Sequence, residues 1–121
     1  MLTPIPARML SQTAVFIVPA TFDQWGNVAT SQSYTVSRVH LQPTNEVRKT
    51  KDNTEVILRS ILFVDGRLST PALNLWALQR SAEAAGGVLT VTIDGDSYTA
   101  LTVELIPDDT GRLHHWEVGL V

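Results

Sequence analysis

The chain has 121 residues, enough for one domain with a core of its own and short for two. It has no cysteine, which excludes disulfides and thiolate metal sites and fits maturation in a reducing compartment. Hydrophobic residues make up 44% and charged residues 17%, which argues against disorder, and a formal net charge of -3 gives no general attraction to nucleic acid or anionic membrane.

Taken in chain order, residues 1–11 read as an irregular arm, because Pro4 and Pro6 remove backbone donors and fix φ. The arm has no apolar stretch of signal-peptide length, and no run in the chain is long and apolar enough to span a bilayer. A soluble protein with no membrane partner is expected. Residues 13–18 (TAVFIV) are a short β-type run ended by Pro19. Residues 22–27 follow as a turn, where Gly26 and Asn27 tolerate positive φ. Residues 33–42 form the second strand. Its apolar positions, Tyr34 and Val36 and then Val39 and Leu41, shift parity by one, which predicts a β-bulge or a change of partner.

Residues 43–54 are polar and lack an apolar period, so a loop is expected, and it holds Arg48, Lys49 and Lys51. Residues 55–65 are the strongest strand, apolar on both faces through Val56, Ile57, Leu58, Ile61, Leu62, Phe63 and Val64. Such a strand is covered on both sides, by its own fold or by a neighbouring subunit. Thr70-Pro71 supplies an N-cap and a first-turn proline, and a helix is expected through residue 85, with Leu75, Leu78, Ala82 and Ala85 on one face. Gly86-Gly87 stops it.

Residues 88–93 and 97–106 flank Asp94-Gly95, a strong hairpin signal. Leu101, Val103 and Leu105 share a face of the return strand. In the last strand, residues 112–121, His114, Trp116, Val118 and Leu120 lie on one face and His115, Glu117 and Gly119 on the other. The expected fold is a single mainly β domain, a small antiparallel barrel or sandwich of about six strands with one α-helix. Its buried set should include Val15, Leu62, Leu89, Val91, Leu101, Val103, Trp116 and Val118.

Reactive groups are sparse. His114 and His115 alternate across a strand and so should not chelate one ion, and His40 is the only other histidine. No Gly-x-Ser-x-Gly elbow, calcium loop or phosphate-cradling glycine loop is present. Asp94, Asp96 and Asp108-Asp109 sit in turns. No catalytic, cofactor or metal residue is assigned, and an enzyme is not expected. Arg48, Lys49 and Lys51 are interleaved with Glu46, Asp52 and Glu55, which suits a solvated loop better than a strong DNA contact. Trp25 either anchors its turn on the core or is an exposed interface aromatic.

Four segments resemble the minor capsid proteins of tailed phages and prophages. They are Ile5-Pro6-Ala7-Arg8-Met9-Leu10, Asp23-Gln24-Trp25-Gly26-Asn27, Ser60-Ile61-Leu62-Phe63-Val64-Asp65, and Leu113-His114-His115-Trp116-Glu117-Val118-Gly119-Leu120-Val121. The last is preceded by the hairpin Asp94-Gly95-Asp96-Ser97-Tyr98-Thr99. The sequence departs from the family over residues 70–87, where the family's connection is shorter.

The resemblance implies a structural virion protein, a head-completion subunit of the head–tail connector. Such subunits form a ring below the portal and touch portal or adaptor proteins, tail proteins and their own copies. No catalytic residues or cofactors come with the family. Met9, Leu10, Trp25, Ile57, Ile61 and Phe63 are then candidates for the subunit interface, and Arg48, Lys49 and Lys51 for a weak contact with DNA in the channel. The alternative is a small-ligand-binding β-barrel or another phage tail or accessory protein.

Overall fold

The computed structural model describes residues 5–20, 31–50 and 52–121. A 3₁₀ turn, Ala7–Met9, is followed by β1 (Gln12–Val18), β2 (Gln32–Pro43), β3 (Val47–Lys49), β4 (Glu55–Ile57) and β5 (Ser60–Asp65). Helix α1 (Leu75–Ala84), β6 (Thr90–Ile93), β7 (Asp96–Pro107) and β8 (Leu113–Leu120) complete the order. Six strands close a barrel in the order β1-β2-β5-β8-β7-β6, every pair antiparallel. The mainly β barrel with one helix is therefore the architecture found. β3 and β4 pair only with each other, as a two-stranded ribbon outside the barrel.

The inward rows fill the interior. Leu41, Leu62, Val118 and Val103 lie side by side across four strands, and Val39, Val64, Trp116 and Leu105 form the next row. Leu75, Leu78 and Ala82 of α1 are buried in the same core, as their helical spacing predicted. Asp94 and Gly95 both adopt positive φ (51° and 82°), which matches the right-handed twist of the two strands they join.

The parity shift in β2 is a bulge and a change of partner together. Arg38 sits at φ 61° as the extra residue, so Val36 and Val39 both point inward. Up to Val39 the strand pairs with β1, and from Val39 to Pro43 with β5.

Several expectations are corrected. The helix begins at Leu75, not near Pro71. Asn74 is its cap, accepting from the Ala77 amide at 3.2 Å, while the Thr70 backbone is taken up by pairing with Ser37. In β1 the core face is Ala14, Phe16 and Val18, leaving Val15 only half-buried. Both faces of that run are apolar, so alternation alone could not choose. In β7, Leu101 is the extra residue of a bulge and is only half-buried, as is Val103. Ala100 is buried before it, and after it Val103 and Leu105 resume the inward face.

The polar stretch 43–54 is not simply a loop, since β2 runs to Pro43 and β3 lies inside it. Residues 55–65 are two strands, broken at Leu58 and Arg59, where the chain turns from the ribbon into the barrel. Residues 1–11 are irregular only in part, because Ala7–Met9 is helical and β1 starts at Gln12. The turn expected at 22–27 lies outside the described residues.

Candidate assembly surface

The outward rows of β2, β5, β8 and β7 form one continuous exterior face of the barrel. His40, Phe63, Glu117 and Glu104 lie in register across these strands, and Gln42, Ile61, Gly119 and Thr102 form the row beside them. The N-terminal segment lies against one side of this face. Between them runs a groove of about 240 Å³ lined by Ile5, Pro6, Met9, His40, Gln42, Phe63 and His115. Its floor is a chain of rings, with His40 6.1 Å and His115 5.7 Å from Phe63, centroid to centroid.

The two adjacent histidines do not part to opposite faces. Their Nδ1 atoms lie 2.8 Å apart, at hydrogen-bond distance. The reason is a bulge: Ile106 pairs with His115 and Pro107 with Leu113, so His114 is extra and alternation fails there. His115 Nε2 lies 2.9 Å from Glu117 Oε2. With neutral rings, Nε2–H donates to the carboxylate and His115 Nδ1 accepts from His114 Nδ1–H. No cluster of three or more His, Cys, Asp or Glu side chains suited to a metal occurs among the described residues.

The ribbon lies over the other side of this face. In the ribbon, Arg48 opposes Val56 and both face the barrel. The guanidinium meets Glu104 at 2.6 Å and Glu117 at 3.4 Å, and Arg48 Nε donates to Glu46 at 2.7 Å. Partial burial lowers the Arg48 pKa, but hydrogen bonds to Glu46, Glu104 and Glu117 outweigh it and hold the pKa above its ordinary value. Of the proposed channel cations, Arg48 is thus committed to carboxylates of its own chain. Lys49 is exposed, and Lys51 lies outside the described residues.

The proposed interface residues also separate. Met9 and Phe63 meet in the groove. Ile57 is 66% exposed and pairs across the ribbon with Val47, 54% exposed, a residue the sequence reading passed over. No sequence signal marks it, since a strand of three residues shows no period. Leu10 and Ile61 are buried, 3% and 7% exposed in the single chain. Trp25 lies outside the described residues.

Two of the quoted motifs have structural explanations. The Asp65 carboxylate accepts the amides of Arg67 (2.9 Å) and Leu68 (2.6 Å), folding the chain into a tight turn after β5. The Asp65 amide meets Ser69 Oγ at 2.8 Å, and that hydroxyl donates to the Arg38 carbonyl at the β2 bulge. In the terminal strand, a β-carbon at Gly119 would lie 2.9 Å from Leu58 Cδ1 and collide with Thr102 Oγ1. Gly119 therefore lets the root of the ribbon close onto the barrel.

No curated protein and no solved structure matches the chain. A family model described as minor capsid protein matches residues 8–120, which takes in both the barrel and the ribbon. With the motifs of the strand ends and the C-terminus accounted for inside one closed barrel, the chain belongs to the minor capsid protein family.

Proposed function

We propose that this phage structural protein is a head-completion subunit that assembles as a ring below the portal and joins the head to the tail. Family membership makes it a component of the virion. The connector position, the ring and the neighbouring portal, adaptor and tail proteins belong to the proposal.

The observation that carries it is the placement of apolar surface. The Val47–Ile57 pair projects from the ribbon, while the groove of Met9 and Phe63 is concave and lies on a different part of the exterior. A ring subunit needs two unlike patches, one for each neighbour, because a head-to-tail contact closes only by rotation. The interior gives the small-ligand alternative no such support, since Phe16, Leu62, Leu89, Val91 and Val118 fill it. The role is structural, without catalysis. Contact with packaged DNA, from Lys49 and Lys51, is weak and salt-dependent.

The experiment is a phage carrying a nonsense mutation in this gene, grown without suppression. Filled heads that lack tails or lose DNA, alongside free tails, are the expected products. Normal tailed particles would overturn the proposal, as would a failure to form heads at all.

A further inference from the structure

We propose that the β3–β4 ribbon is a strap, hinged at Leu58 and fastened by Arg48, that opens as a unit while the barrel stays closed. The inference does not depend on the connector role. A two-stranded ribbon is marginal by itself, so its order depends on what holds it down. Three points define its attachment.

The root is fixed. Leu58 is 1% exposed and packs against Gly119, its amide donates to the Glu46 carbonyl at 2.9 Å, and Thr44 donates to Arg59 at 3.0 Å. The middle is fastened by charge. Arg48 reaches across to Glu104 on β7 and Glu117 on β8, partners 56 and 69 residues away in sequence. The far end borders α1 and β7 across open space. A cleft of about 180 Å³, lined by Lys49, Thr50, Gln79, Leu101, Thr102 and Glu104, separates it from the barrel. A second space of about 360 Å³ opens between Thr50, Asp52, Glu83 and Leu101.

At the middle the ion pairs of Arg48 lie beside the half-buried Val56, while the root is apolar throughout. Salt weakens the first and leaves the second intact, because partly exposed ion pairs are screened and buried leucine contacts are not. Releasing Arg48 frees the ribbon with its Val47–Ile57 face and uncovers the Thr102 side of the barrel. The barrel loses none of its own ladder bonds in this motion, since β3 and β4 pair with no barrel strand.

The test is amide hydrogen exchange on the full chain, comparing wild type, Arg48→Met and the double variant Glu104→Gln, Glu117→Gln. Methionine keeps the aliphatic stem and removes the charge. In low salt, amides of β3 and β4 should exchange roughly fivefold faster in both variants than in wild type, with β1, β5 and β8 unchanged. Raising salt to about 1 M, where screening acts within about 3 Å, should bring wild type to the rate of the variants. If Arg48→Met does not fold, the double variant and the salt series on wild type decide. Ribbon exchange that ignores both salt and the substitutions would overturn the proposal. So would loss of barrel protection in parallel, which would mean that the ribbon does not open separately.

Discussion

Gly119 lies directly opposite Thr102 on the outer face of β8 and β7, and the Thr102 side chain fills the space that a β-carbon at 119 would need. Thr102 Oγ1 is buried there with no hydrogen-bond partner among the described residues. The two residues therefore respond to substitution in opposite directions. Gly119→Ala forces backbone and Leu58 apart and should cost about 1–3 kcal/mol. Thr102→Val keeps the shape, removes a buried unpaired hydroxyl and should stabilise by about 1 kcal/mol. Urea unfolding of the two variants checks both. A Thr102→Val protein less stable than wild type would show that the hydroxyl is satisfied in solution.

The helix start is tested by comparing its two candidate caps. Asn74→Ala removes the side-chain acceptor of the Ala77 amide and should destabilise by about 1 kcal/mol. Thr70→Ala leaves the backbone pairing with Ser37 in place and should change stability by less than about 0.5 kcal/mol. The reverse order would return the cap to Thr70.

Asp65 holds the turn after β5 with two backbone amides, and it is buried. Asp65→Ala should cost about 1–3 kcal/mol, because both amides lose their acceptor. Thermal or denaturant unfolding measures this, and a cost below about 0.5 kcal/mol would mean that the turn stands without the carboxylate.

Asp108 gives a pH signature at an exposed turn. Hydrogen bonds from the Thr110 side chain and amide, together with the Arg112 amide, hold its carboxyl below the ordinary 3.8. A depressed folded pKa stabilises the protein above the unfolded pKa, and that stabilisation fades as pH falls through the folded value. Asp108→Asn should therefore be less stable than wild type at neutral pH, with the gap narrowing below about pH 4. Unfolding midpoints across that range check it, and a gap that widens on acidification would reverse the sign.

Sequence reading succeeded where local chemistry dictates geometry. Asp94-Gly95 fixes the β6–β7 turn, and the parity break around Arg38 announces the β2 bulge because polar residues separate the apolar ones. The bulges at Leu101 and His114 left no such mark. Leu101, Val103 and Leu105 keep perfect alternation in sequence, while the extra residue is set by pairing with β8. The ribbon escaped notice because strands of three residues are too short to show a period. Of the surface, Met9 and Phe63 were legible as apolar residues. The Arg48 clasp was not, because Glu104 and Glu117 join it only through the fold.

The exposed Val47–Ile57 pair separates assembly from folding. Val47→Lys with Ile57→Glu places opposite charges across the ribbon and should change stability by less than about 0.5 kcal/mol, since both side chains already face water. The same substitutions should prevent incorporation into virions if this face meets a neighbouring subunit. Unfolding midpoints and the protein content of purified particles are the two readouts. Full incorporation of a stable double variant would remove this pair from the interface.

Position in the particle is read from an electron cryo-microscopy reconstruction of the head–tail junction. A closed ring immediately below the portal is expected, with repeating density that accepts the six-stranded barrel and its ribbon. Density for the barrel found only on the capsid shell, or a junction with no ring that accepts it, would overturn the head-completion role.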